Sequence, residues 1–147
     1  MEVDKIYDPH DVQPVGDDFG HFEYSISVDY AHTKAKNLRL NVVEPDDHTL
    51  QLDFDTPVQW DKFMEQRLPI LLQYLNVARV WWTESVSGNK HVYVKLKEPM
   101  DFLSRVAYQA ALGSDPTREL LSLARMHIGQ GSTTMMFEKP KDRKSVV

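Results

Sequence analysis

Leu50-Gln51-Leu52-Asp53-Phe54-Asp55 alternates apolar and polar residues one by one. A period of two is the mark of a β-strand, on which successive side chains point to opposite faces. Leu50, Leu52 and Phe54 are therefore expected to face a core, and Gln51, Asp53 and Asp55 to share the other face. Two carboxylates at i and i+2 stand on the order of 7 Å apart along a strand. Such a pair suits a hard divalent cation such as Mg²⁺ or Mn²⁺, which takes carboxylate, phosphate and water oxygens. The same pattern also fits a half-exposed strand whose acids are incidental.

Working outward toward the N-terminus, Pro45-Asp46-Asp47-His48 reads as a turn feeding this strand. Asn37 to Val43, with Leu38, Leu40 and Val42 in alternation, reads as a preceding strand, and Phe22 to Tyr30 as another. Residues 1–21 are rich in Asp, Pro and Gly without a sustained period, and are expected to form an irregular arm. The first residues lack the basic start and apolar block of a signal peptide.

On the C-terminal side, Thr56-Pro57-Val58-Gln59 combines an N-cap Thr, a Pro at the first helical position and a Gln at the third, a capping-box start. Trp60, Phe63, Met64 and Leu68 then fall on one helical face, and Pro69 should kink or break that helix. Val77 to Val86 is expected to be a strand. Its Trp81-Trp82 pair can pack a core on two faces or offer a stacking surface to a base. Ser87-Gly88-Asn89 is a tight turn whose backbone N–H groups suit a phosphate. Lys90 to Lys97 alternates again, with Val92, Val94 and Leu96 on one face and His91, Tyr93, Lys95 and Lys97 on the other. Two helices follow: one capped by Asp101 and closed by Gly113, the next capped by Asp115 with Pro116 at its first position. The second is expected to bury Leu120, Leu121, Leu123 and Ala124, leaving Arg118 and Arg125 to reach phosphate or solvent. Thr133 to Glu138 reads as a last strand, and residues 139–147 as a basic mobile tail.

The chain has 147 residues, enough for one domain with a real core, here 22–138. It is 41% hydrophobic and 27% charged, a globular composition, and no apolar run approaches the length of a membrane span. No membrane partner and an intracellular, cytoplasmic setting are expected. Cysteine is absent, which removes disulfides, thiolate metal sites and a cysteine nucleophile. A net charge of −5 argues against coating nucleic acid by bulk electrostatics, but not against a local basic strip.

The order of three strands, helix, two strands, two helices and a strand defines an α+β domain, with a mostly antiparallel sheet and helices packed on one side. Asp53 and Asp55 end one strand, and His91 starts another one helix and one strand later. Leu52-Asp53-Phe54-Asp55-Thr56-Pro57, then Trp60, then Glu84-Ser85-Val86-Ser87-Gly88-Asn89-Lys90-His91-Val92-Tyr93-Val94 resembles the archaeo-eukaryotic primase superfamily. The likeness is nearest to the primase-polymerase domains related to the polymerase part of bacterial ligase D. It covers residues 48–97 best and reaches 138 more weakly. The turn before His91 is shorter than the family's usual form.

The resemblance implies a palm-like (RRM-like) sheet and metal-dependent nucleotidyl transfer from nucleoside triphosphates onto a DNA primer or template-bound nucleotide. It implies Mg²⁺ or Mn²⁺ on Asp53 and Asp55, with a third acid from a late strand, Glu138, and Asp115 as its rival. It implies Ser87, Asn89, Lys90, His91 and Lys95 for the nucleotide, and Trp81, Tyr93 and Arg118 for nucleic acid. A minimal core of viral or plasmid origin would fit so short a chain. The alternatives are a noncatalytic single-stranded-DNA-binding or replication-initiation module, a metal-dependent phosphoesterase, and an interaction domain.

Overall fold

The computed structural model describes residues 32–85, 88–129, 136–138 and 142–147, with the side chain of Glu138 outside that set. The expected arm and the strand at Phe22–Tyr30 lie outside the described residues, as do Val86 and Ser87. The protein is α+β, with antiparallel sheets and helices. Strands β2 (Thr49–Phe54), β3 (Val77–Glu84), β4 (Lys90–Leu96) and β6 (Lys144–Ser145) form one sheet in the order β2-β4-β3-β6. Strands β1 (Asn41–Val43) and β5 (Met136–Glu138) form a separate antiparallel ribbon.

β2 keeps the alternation of its sequence. Leu50, Leu52 and Phe54 enter the main core with Val92, Val94 and Leu96 of β4 and Val80 of β3. Burying a side chain of this size contributes about 1.5–3 kcal/mol. The cover on this face is a helical segment opened by Thr56. Its hydroxyl accepts the Gln59 N–H at 3.3 Å, and the Gln59 side chain accepts the N–H groups of Asp55 and Thr56 at 2.8 and 2.9 Å. The capping box is thus present. Helix α2 (Pro57–Lys62) passes through a π-helical turn (Phe63–Arg67) into α3 (Leu68–Tyr74). Pro69 interrupts regular α-geometry without ending the helix. It has no N–H for the preceding turn, and the widened turn accommodates its ring. Phe54 packs on Phe63 with ring centroids 5.3 Å apart.

The strand expected over Asn37–Val43 is cut short. Residues 32–38 form helix α1, and only Asn41–Val43 is extended. The helix ends with Arg39 in the left-handed region at φ 57°. The Leu40 N–H bonds back to the Ala35 carbonyl at 2.8 Å, and that of Arg39 to Lys36 at 3.2 Å, a Schellman closure. Leu40 and Val42 then pack with Ala35 and Phe137, while Leu38 stays exposed.

The tail is a further difference. β6 pairs with β3, placing Ser145 opposite Trp81 and Lys144 opposite Trp82, so this end of the chain is part of the sheet. Helices α4 (Phe102–Ala111) and α5 (Pro116–His127) lie beside β2. Asp101 and Asp115 cap them as expected, the first accepting the Ser104 N–H at 2.7 Å and the second that of Thr117 at 3.4 Å. No described helix is long and apolar enough to cross a membrane.

Candidate metal centre at the edge of the sheet

Among the described residues β2 is an edge strand, so half of its backbone groups have no partner strand there. The N–H and C=O of Gln51 and Asp53 point away from β4 and are satisfied by the α4–α5 region. The Gln109 side chain accepts the Gln51 N–H at 3.0 Å, and Arg118 donates to the Gln51 carbonyl at 3.1 Å. Ser114 Oγ accepts the Asp53 N–H at 3.0 Å, and the Asp115 N–H donates to the Asp53 carbonyl at 2.8 Å. Glu119 ties this set together, accepting from Gln109 and Ser114 at 2.7 Å each and from Arg118 at 2.8 Å. All these side chains except that of Asp115 are buried.

Edge satisfaction accounts for the inward Arg118 and Glu119 of α5, a helix that turns the opposite way from expectation. It buries Arg118, Glu119, Ser122 and Arg125 and leaves Leu120 and Leu123 exposed. A strand edge takes hydrogen-bonding side chains, which leucine cannot supply. Arg118, expected at a phosphate, is 3% exposed and donates to Gln51 Oε1 at 2.9 Å as well. Ser114, Gln109 and Glu119 carry no signal in the sequence beyond the short Gly113-Ser114-Asp115-Pro116 link between two helices. That link works because Gly113 sits at φ +95°, closing α4 with Ser114 N–H to Gln109 O at 3.1 Å.

The link brings Asp115 to the acidic strand. Carboxylate oxygens of Asp53, Asp55 and Asp115 all lie within 4.8 Å of one another, close enough to share one cation. Asp115 is thus the third acid of this group as well as a helix cap. Glu138 closes β5 opposite Asn41. Asp53 is buried, Asp115 half-buried and Asp55 exposed, so the group opens outward from Asp53. All-oxygen donors of this kind fit a hard divalent cation, and nothing in the donor set itself separates Mg²⁺ from Mn²⁺.

His91 stands directly across from Asp53 in the β2–β4 register. Because the Asp53 backbone groups point outward, the two residues form a non-hydrogen-bonded pair, whose side chains approach most closely. His91 Nε2 is 3.6 Å from Asp53 Oδ1. Its Nδ1 is 3.1 Å from the Phe137 carbonyl, which can only accept, so the proton sits on Nδ1 and Nε2 offers a lone pair toward Asp53. Burial, helped by the Arg118 charge and opposed by the Phe137 carbonyl, lowers the His91 pKa to about 4. Burial first, then the neighbouring Asp55, raises that of Asp53 to about 7, with Arg118 opposing.

The remaining expected residues do not converge here. Lys90 points to the opposite face, its ammonium 5.2 Å from the Trp60 ring and 4.8 Å from the Trp82 ring. Lys95 is exposed on the His91 face, four residues along β4. The Gly88 and Asn89 N–H groups, expected to hold phosphate, are taken by the Ser85 carbonyl at 3.0 Å and its hydroxyl at 2.8 Å. Ser87 lies outside the described residues. Trp81 and Tyr93 stack on each other at 5.3 Å and are buried with Met136, so neither presents a free ring face to a base. The second sheet face is therefore partly covered, by β5, where an open one was expected. An exposed groove of about 580 Å³ lined by His32, Lys36, Glu44 and Arg143 contains none of the three acids. Asp46, Asp47 and His48 also lie close together, but their groups are spent on the turn before β2, with Asp46 accepting the His48 N–H at 2.8 Å.

No family model, no curated protein and no solved structure was found to match this chain.

Proposed function

We propose that this domain is a divalent-cation-dependent nucleotidyltransferase of primase-polymerase type, acting on nucleoside triphosphates and a DNA primer or template at Asp53, Asp55 and Asp115. The observation that supports this reading is the meeting of the three carboxylates, from two separate parts of the chain, within 4.8 Å. Asp53, Asp55 and Asp115 would hold Mg²⁺ or Mn²⁺. Bound there, the cation would supply charge neutralisation for a triphosphate and activation of an attacking hydroxyl. Asp53 and Asp115 are positioned by backbone and side-chain bonds of the β2 edge, which limits their reorganisation on cation binding. His91, neutral and fixed by Phe137, backs Asp53 and keeps a lone pair turned toward the site. The chain supplies no protein nucleophile in this scheme, in keeping with the absence of cysteine.

A second reading is favoured by one observation. The Lys90 ammonium and the Gly88–Asn89 N–H groups, the expected phosphate holders, are engaged elsewhere. That arrangement suits a noncatalytic replication module on the same sheet. Thermal melting with Mn²⁺, with and without a deoxynucleoside triphosphate, separates the two, because a ligand that binds only the native state raises its stability. Stabilisation by Mn²⁺ that grows with triphosphate, together with primer extension lost in Asp53→Asn and Asp115→Asn, is expected for the transferase. A wild type indifferent to Mn²⁺ would remove it.

A further inference from the structure

Four cationic side chains of this acidic chain lie over tryptophan rings. Arg79 and Arg143 lie 4.8 and 5.2 Å from the Trp81 ring, and Lys144 lies 4.5 Å from that of Trp82. Lys90 lies over both Trp82 and Trp60, whose rings are 5.8 Å apart and inclined at 58°. Trp81 is buried, but Trp60, Trp82 and Lys90 are half-buried and Lys144 is exposed. Trp60 comes from α2, Trp82 from β3, Lys90 from β4 and Lys144 from β6. Four elements thus build one aromatic and cationic patch. Lys144 also pairs with Asp142 at 2.8 Å, within its own strand end.

We infer that Trp60, Trp82, Lys90 and Lys144 form a contact surface for single-stranded nucleic acid, with bases on the indoles and phosphates on the two lysines. The chemistry of the patch selects a ligand that is both flat and anionic. An indole face accepts any base by stacking, and a nearby lysine answers the phosphate of the same nucleotide. In the free protein each ammonium occupies the ring face that a base would take, so an arriving nucleotide exchanges one cation–π contact for a stack and moves the charge onto phosphate. The location suits a strand running to the acids. Lys90 pairs across the sheet with Phe54, next to Asp55, and with Glu84, so the patch and the acids share one end of the sheet. They lie on opposite faces, with β2 and β3 two strand spacings apart, about 10 Å. The net charge of −5 makes this a local strip rather than a general property of the surface.

This inference does not rest on the metal-site reading, and its test is run in EDTA. The full chain is titrated with a ten-residue oligothymidylate and with an abasic strand of the same length, while tryptophan fluorescence and salt dependence are followed. Quenching by oligothymidylate and weaker binding of the abasic strand are expected. For single strands each phosphate contact adds about 0.7 to the slope of log affinity against log salt, so Lys90→Gln with Lys144→Gln should lower that slope by about 1.4. Trp82→Leu should weaken binding about ten- to a hundredfold, the range for losing one stacked base. If Trp82→Leu fails to fold, the lysine pair decides the matter. An unchanged salt slope in the double variant, or equal affinity for the abasic strand, would overturn the proposal. Absence of quenching would do the same.

Discussion

In the metal-free protein, Asp53 and His91 should cancel each other's effect on stability across mildly acid pH. Asp53 moves from its ordinary 3.8 up to about 7, and His91 from 6.5 down to about 4. For Asp53, a folded-state pKa above the unfolded one means a contribution that is full below about pH 4 and is lost as pH rises through 7. For His91, a folded-state pKa below the unfolded one means a contribution that is full above 6.5 and is lost as pH falls toward 4. At about 1.4 kcal/mol per pH unit for one proton, the two effects amount to about 4 and about 3 kcal/mol. Between pH 4 and 6.5 the folded pair holds one proton, on Asp53, and the unfolded pair also holds one, on His91. Equal proton numbers give no slope from the pair. His91→Asn keeps an amide donor for the Phe137 carbonyl and leaves Asp53 alone, so it should gain about 3 kcal/mol relative to wild type as pH falls from 6.5 to 4. Asp53→Asn leaves His91 alone and should lose about 4 kcal/mol relative to wild type as pH falls from 7 to 4. Urea unfolding in EDTA at half-unit pH steps measures both differences. Two flat difference curves would show that burial does not hold these groups in their uncharged forms, and the electrostatic account of the site would fail.

Mn²⁺ should stabilise wild type and Glu138→Gln but not Asp55→Asn or Asp115→Asn; a Glu138→Gln protein deaf to Mn²⁺ would place the third acid on β5 after all. Because Asp53 must lose its proton to bind a cation, Mn²⁺ affinity by calorimetry should fall up to about tenfold per pH unit below pH 7. Thr56→Ala should lower stability by about 1 kcal/mol through loss of the capping box, read from the midpoint of urea unfolding. Ser114→Ala, which strips a buried partner from the Asp53 N–H and from Glu119, should lower it by about 1–3 kcal/mol; a neutral result would mean that the β2 edge is held by other groups.

Local chemistry decided much of this protein without help from the rest of the chain. The alternation in Leu50–Asp55 sets a strand with an apolar face, and Leu50, Leu52 and Phe54 occupy the core. Thr56, Pro57 and Gln59 start a helix, and Asp101, Gly113, Asp115 and Pro116 bound two more, because caps and closures are satisfied within a few residues. Parity alone puts Asp53 and His91 on faces that can meet. What parity cannot give is which strand stands beside which, and here order and edges mattered. Only the sheet order makes β2 an edge, and only an edge needs side chains for its backbone. That need drew Arg118 and Glu119 of α5 inward and took Arg118 away from any phosphate. It also set Asp115, legible as a helix cap and only as the rival of Glu138 for the third acid, beside Asp53 and Asp55. Likewise, alternation in Lys90–Leu96 identifies two faces but not their neighbours. Tertiary contact gave one face Trp60 and Trp82 beneath Lys90, and the other β5 over Tyr93 and Trp81. The strand signal over Asn37–Val43 failed for a related reason. Three alternating apolar residues are too few to outweigh a helix whose Ala35 side chain packs against Phe137, 102 positions away in the chain.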